Sequence, residues 1–135
     1  MRNDSLAQWW IALAGISLIA AGLLGFVDNP IVGSRSDALF QTGSVHNLVH
    51  IVTGALALFI AFGLRGEMQA NAVIGFGVLY AVIFVVLLVS GNLFGLFQYP
   101  VNAGDHLLHA SLAVISIATG LMARNASTTS PSTAR

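Results

Sequence analysis

Residues 70–90 have the sequence ANAVIGFGVLYAVIFVVLLVS, which is almost entirely apolar and contains no charged side chain. A helix needs about 20 apolar residues to cross the hydrocarbon core of a bilayer, and this segment supplies them. Three further segments of similar length and character lie at 8–27, 45–64 and 105–122. Because the apolar runs are continuous rather than alternating, they predict transmembrane helices and not the strands of a barrel.

The composition of the whole chain also indicates an integral membrane protein. Of its 135 residues, 56% are hydrophobic and only 7% are charged, whereas soluble domains carry about 25% charged residues. Five arginines balance four aspartates and one glutamate, so the chain has no basic excess with which to bind nucleic acid. The absence of cysteine excludes disulfides and thiolate metal sites. We therefore expect the lipid bilayer as a partner and no nucleic acid.

The four segments predict an all-α fold, an integral membrane four-helix bundle built from two repeated helical hairpins. The repeat rests on two histidine strings, HNLVH at 46–50 and DHLLH at 105–109, which align when His50 is placed on His109. Both hairpins run in the same direction, so a pseudo-two-fold axis along the membrane normal would relate them. The predicted domains are a short N-terminus at 1–7, the four-helix transmembrane domain at 8–123 and a disordered polar tail at 124–135.

The arginines predict the orientation of the chain in the membrane. Arg2, Arg65, Arg124 and Arg135 flank the span ends on one side, whereas only Arg35 lies in the two loops on the other side. Loops rich in arginine and lysine are retained in the cytoplasm. We therefore predict a multi-pass protein of the plasma membrane, with both termini cytoplasmic and the two longer loops outside.

All four histidines fall in the two strings, which makes the strings the candidate functional site. Residues four apart share a helix face, so His46 and His50 point one way, and so do Asp105 and His109. The repeat symmetry would turn both faces toward a common axis near the outer side. Three imidazoles and one carboxylate are a usual ligand set for a transition metal ion. The predicted metal ligands are His46, His50, Asp105 and His109.

Two alternative interpretations remain open. His50 and His109 are equivalent across the repeat, and two imidazoles on facing helices can hold a haem or a (bacterio)chlorophyll, which makes them candidate cofactor ligands. Otherwise the histidines are structural, with Ser44 and Asp105 as helix N-caps, and the protein is an accessory or scaffold subunit of a larger membrane complex or homo-oligomer.

The sequence has no nucleotide-binding loop or paired-carboxylate motif, so we predict no catalytic residues and a non-enzymatic protein.

Several stretches of the sequence resemble one known family. The segment GFVDNPIVGS at 25–34, the string at 46–50, and NAGD at 102–105 followed by a Leu-His pair are similar to the bacterial membrane proteins grouped as domain of unknown function 4383. The resemblance covers roughly residues 8–123. It implies a four-helix architecture and a set of marked positions, but no activity. That family usually has asparagine where this chain has His106. His106 is also rotated about 100° from Asp105 on the helix, so it is not among the predicted ligands.

Overall fold

Residues 3–129, which the computed structural model describes, form four long helices and one short pair of strands. The strands β1 (Val32–Gly33) and β2 (Phe40–Gln41) lie in the loop after the first helix and pair in parallel, with Val32 opposite Phe40. Each helix is long and apolar enough to cross a membrane. The helices are α1 (Asn3–Leu24), α2 (Ser44–Gly63), α3 (Gly66–Val89) and α4 (Ala103–Thr129).

The four helices correspond to the four predicted spans but differ from them at their ends. In α4 the helix continues over residues 124–129, where the sequence analysis predicted a disordered tail. Hydroxyl groups there bond back to the preceding turn, as Ser127 Oγ does to the carbonyl oxygen of Ala123 at 3.1 Å. The rest of that tail, at 130–135, and Met1 and Arg2 of the predicted N-terminus lie outside the described residues.

Asn29 organises the loop that follows α1. Its Nδ2 donates to the carbonyl oxygens of Leu24, Val27 and Val32 at 3.0, 2.7 and 2.8 Å. Its Oδ1 accepts from the N–H groups of Ile31 and Val32, both at 2.9 Å. One side chain thus satisfies backbone groups that a helix end and a turn would otherwise leave free. The loop is therefore fixed where it leaves α1.

The helices pack as two pairs joined through α1. Helix α1 lies against α2, α3 lies against α4, and α1 also contacts α4. Helices α2 and α4 therefore stand across the bundle from each other. We call the end of the bundle that carries residues 25–43 and 90–102 the loop end. The larger core side chains are Ile11, Leu18, Ile60, Val73, Phe76, Tyr80 and Leu112.

The paired helices approach each other closely where one of them has a glycine. A Cβ atom at Gly15 would lie 2.8 Å from the carbonyl oxygen of Gly54, across the α1–α2 contact. A Cβ atom at Gly77 would lie 2.8 Å from the carbonyl oxygen of Ala113, across the α3–α4 contact. Both distances are shorter than a van der Waals contact, so only glycine fits. Small residues of this kind let membrane helices associate.

The outside of the bundle is covered by large apolar side chains. Leu13, Phe59 and Leu88 are each more than half exposed. The loop at 90–102 adds Phe94 and Leu96, which are 77% and 56% exposed. Such a surface is stable in contact with lipid tails and not in water, so it indicates a bilayer environment and a multi-pass membrane protein.

We predict that Gly77→Ala destabilises the bundle and that Gly75→Ala on the same helix does not. The new Cβ at position 77 would meet the backbone of α4, whereas nothing lies within 4 Å of a Cβ at position 75. We expect Gly77→Ala to lower the free energy of unfolding by about 1–3 kcal/mol. Gly75→Ala should leave it unchanged or raise it, because alanine is the better helix former by about 1 kcal/mol. Denaturant titration in micelles measures both, and equal losses would contradict the packing described.

Candidate metal centre

Three histidine side chains meet between α2 and α4 at the loop end. His46 and His50 lie in the first two turns of α2, and His109 lies in the second turn of α4. Each is at most 2% exposed. The ring centroids of His46 and His50 are 4.4 Å apart, and that of His109 lies 5.8 Å from the first and 6.2 Å from the second. We call these three residues the histidine cluster.

The cluster has a geometry close to that of a three-histidine metal site. One ligand nitrogen from each residue lies within 4.8 Å of the other two. Ligand nitrogens around a tetrahedral zinc ion are about 3.3 Å apart, given Zn–N bonds of about 2.0–2.1 Å. Small side-chain rotations therefore suffice to bring all three nitrogens onto one ion. Of the four predicted metal ligands, the structure brings together these three.

The cluster also contains buried polar atoms that lack hydrogen bonds. Within residues 3–129, no group bonds to either ring nitrogen of His46, to either ring nitrogen of His50, or to Nδ1 of His109. A buried polar atom without a partner costs about 1–3 kcal/mol, and nearly all such atoms in folded proteins have one. A further species that binds these nitrogens would remove this cost. The cluster is therefore chemically suited to a metal ion, which takes one nitrogen from each ring.

Two aromatic rings enclose the cluster. Phe97, from the loop before α4, stacks on His46 with a centroid distance of 4.4 Å and an interplanar angle of 6°. The ring of Tyr80 on α3 lies 5.8 Å from that of His109, and its hydroxyl oxygen is 2.7 Å from Thr53 Oγ1. These contacts limit rotation of the imidazoles and keep water away from them. Sequence periodicity gave no indication of Phe97, because that residue lies outside any helix.

Asp105 caps α4 and is not one of the three residues of the histidine cluster. It is fully buried, but it does not belong to the group of ligand atoms that lie within 4.8 Å of one another. Its Oδ2 accepts from the N–H of Asn102 at 3.0 Å, and its own N–H donates to Asn102 Oδ1 at 3.1 Å. This reciprocal pair is a capping box, with Asn102 as the N-cap and Asp105 three residues later. The expectation that Asp105 itself is the N-cap was wrong.

The start of α2 also differs from the prediction. Gly43 is the N-cap, in an extended conformation and without a side-chain cap bond, so Ser44 is already the first helical residue. The N–H of Ser44 donates to Oε1 of Gln98 at 2.8 Å. A side chain from the loop at 90–102 thus replaces the local cap. This bond joins that loop to the helix that carries His46 and His50.

His106 lies outside the cluster, although it is in the same string as His109. It is half-buried and packs edge-on against Phe84, with ring centroids 5.9 Å apart. His106 and His109 are three positions apart, so with 3.6 residues per turn their side chains leave the helix in directions about 60° apart. His106 is therefore a suitable control position for experiments on the cluster.

The ion pair on the loop between β1 and β2 is separate from the candidate site. Arg35 donates from Nε and Nη2 to the two carboxylate oxygens of Asp37, at 2.9 and 2.8 Å. These hydrogen bonds lower the pKa of Asp37 and raise the pKa of Arg35. Both side chains are exposed, and exposed ion pairs contribute little to stability. The pair therefore shapes the loop locally.

Comparison with known proteins identifies a family but no activity. The model of the family described as domain of unknown function (DUF4383) matches residues 8–122. No curated protein and no solved structure matches the chain.

We predict that Asn102→Ala loosens the start of α4 and that Asn102→Ser preserves it. Alanine removes the acceptor for the N–H of Asp105, whereas serine retains a side-chain oxygen at the N-cap. Both variants lose the bond from Asn102 Nδ2 to the carbonyl oxygen of Ala38. We expect Asn102→Ala to cost about 1 kcal/mol more than Asn102→Ser in the free energy of unfolding. Hydrogen exchange at residues 103–106 provides the local measurement, and equal protection in the two variants would show that the cap is unimportant.

Proposed function

Because the chain belongs to the DUF4383 family, whose description assigns no activity, we propose a function from the site itself. In this proposal, the membrane protein binds a transition metal ion through His46, His50 and His109. The observation that carries the proposal is that three buried imidazoles from two helices converge while most of their ring nitrogens lack partners. The proposed role is to hold the ion and not to catalyse a reaction.

The ligand set favours zinc or a similar divalent ion. Imidazole nitrogens suit zinc, copper, iron and nickel, whereas magnesium and calcium prefer oxygen ligands. Closed structural zinc sites have four protein ligands, and sites with three histidines keep a fourth position for water or another molecule. Asp105, the fourth ligand expected from the sequence, uses Oδ2 in the capping box with Asn102, whereas no group within residues 3–129 hydrogen-bonds to its buried Oδ1. The proposed ion therefore takes its fourth ligand from outside the three histidines.

The two-hairpin repeat forms part of the proposal. In each hairpin, a glycine of the first helix faces a backbone carbonyl of the second helix and an apolar side chain one turn further on. The contacts are Gly15 against Gly54 and Leu58, and Gly77 against Ala113 and Ile117. The alignment that pairs the two histidine strings also pairs Gly54 with Ala113 and Leu58 with Ile117, which are the second-helix partners in these contacts. This agreement supports two histidine-bearing faces that are related by pseudo-symmetry.

We further propose that the loop end faces away from the cytoplasm at the plasma membrane, with both termini cytoplasmic. Arg65 lies in the turn at the opposite end of the bundle, where its Nη1 donates to the carbonyl oxygens of Phe62 and Leu64 at 3.1 and 2.9 Å. Arg124 lies in the last turns of α4 at the same end. Positive charge at that end supports a cytoplasmic location for it. The histidine cluster would then be near the outer side.

The tetrapyrrole alternative has weaker support than the metal ion. A haem or chlorophyll held by His50 and His109 would need a flat slot between these two rings. The ring of His46 lies 4.4 Å from one and 5.8 Å from the other, so it occupies that region. A purely structural role, as in a scaffold subunit, leaves the unpartnered nitrogens of the cluster unexplained.

Elemental analysis of protein purified in mild detergent, without chelator and without a histidine tag, tests the proposal. We expect close to one equivalent of a transition metal per chain. His50→Ala and His109→Ala should each lose the metal, because two imidazoles bind an ion far more weakly than three. His106→Ala is the matched control, since it removes a histidine of the same string from outside the cluster, and it should retain the metal.

A second measurement keeps the test valid if a variant folds poorly. Adding zinc to metal-free protein should raise the thermal midpoint of the wild type and of His106→Ala, but not that of the two cluster variants. Metal-free wild type with no shift would refute metal binding and favour a structural role for the histidines. A Soret band in the absorption spectrum would favour the tetrapyrrole instead.

A further inference from the structure

An apolar pocket of about 240 Å³ opens beside the histidine cluster. It lies between α1, α4 and the strand pair, and its walls include Leu18, Val32, Phe40 and Leu112. Ser17, which also lines it, is exposed on the outer face of α1. The pocket therefore opens toward the surroundings of the helices, which are lipid. It is distinct from the water-facing surface of the loops.

His50 is the lining residue that brings an ionisable group into this pocket. Its side chain is 1% exposed, and neither of its ring nitrogens has a hydrogen-bond partner within the described residues. A neutral imidazole offers one donor and one acceptor. When a histidine binds a metal through one nitrogen, the other N–H almost always donates to an oxygen acceptor. Within residues 3–129 no such acceptor is supplied to His50.

The size and polarity of the pocket define the class of molecule that it fits. An engineered apolar cavity of about 150 Å³ binds benzene, so a pocket of 240 Å³ has room for one substituted ring. Its apolar walls exclude a charged molecule, because a charge would lose its hydration without compensation. Ser17 and His50 are the lining residues with polar side-chain atoms, and His50 is the buried one of the two. An occupant with a single oxygen at one end matches this arrangement.

We propose that this pocket binds an uncharged single-ring molecule carrying a carbonyl or hydroxyl oxygen, which enters from the bilayer and hydrogen-bonds to His50. This inference deepens the proposed function, since the molecule would lie next to the proposed ion. It depends on that function in one respect only. A bound ion would occupy one ring nitrogen of His50, and the molecule would hydrogen-bond to the other. The pocket and the unpartnered imidazole are present whether or not an ion is bound.

Fluorine NMR of the protein in phosphatidylcholine nanodiscs, with 4-fluorophenol as the probe, tests the proposal. Fluorobenzene is the comparison probe, because it has the same ring without the oxygen. Empty nanodiscs give the partition of each probe into lipid, which is subtracted. We expect saturable binding of 4-fluorophenol, about fivefold to tenfold tighter than that of fluorobenzene, as one hydrogen bond would provide.

Two neighbouring alanines of α1 provide a matched pair of variants. Ala21 lines the pocket, whereas Ala20 is exposed and lies outside it. We expect Ala21→Phe to weaken the binding of 4-fluorophenol more than tenfold and Ala20→Phe to leave it unchanged. His50→Leu should abolish the preference for 4-fluorophenol over fluorobenzene, because it removes the hydrogen-bonding group from the pocket.

The metal content of the same preparations separates this inference from the proposed function. Ala21→Phe should retain its metal while it loses the probe. Absence of saturable binding in the wild type, or equal effects of the two phenylalanine variants, would overturn the pocket assignment. If the probe binds with the expected pattern and the protein contains no metal, the pocket is supported and only the proposed metal site is refuted.

Discussion

Close contact between the backbones of paired helices is the constraint on which the histidine cluster depends. Lipid tails are as apolar as the helix surfaces, so burial of apolar area does not drive the helices together as it would in water. The contacts at Gly15 and Gly77 instead let each helix pair approach to backbone distance. Helix α1 then places α2 across from α4, and this placement sets the 6.2 Å separation of the His50 and His109 rings.

Much of this arrangement could be predicted because it follows from regular periodicity. Hydropathy alone identified the four spans, since a bilayer requires long apolar segments. The four-residue spacing of His46 and His50 put both rings on one face of α2, and the structure has them 4.4 Å apart. Convergence with His109 followed from the expected repeat. These features depend on helix geometry, which is the same wherever a helix forms.

The remaining features depend on contacts that a helical period does not encode. At a helix start, an aspartate can cap the backbone or coordinate an ion, and its position alone does not distinguish the two roles. Asn102, three residues before Asp105, was the available indication of a capping box. Phe97 and Gln98 reach the cluster and α2 from a loop, where no periodicity predicts direction. The side chain of Asn102 likewise acts through a tertiary hydrogen bond with the carbonyl oxygen of Ala38, and that of Asn29 acts through hydrogen bonds within its own loop.

The apolar loop at 90–102 bears on how fast a bound ion would exchange. Phe94 and Leu96 project outward from the loop end, and in the proposed orientation they would insert into the membrane there. This insertion would set the immersion depth of the bundle so that the histidines lie below the membrane surface. An ion that leaves these histidines would lose its imidazole ligands in a medium of low dielectric constant before water could bind to it, and its dissociation would therefore be slow. Residence time, as much as equilibrium affinity, would then govern how long the protein retains the proposed ion.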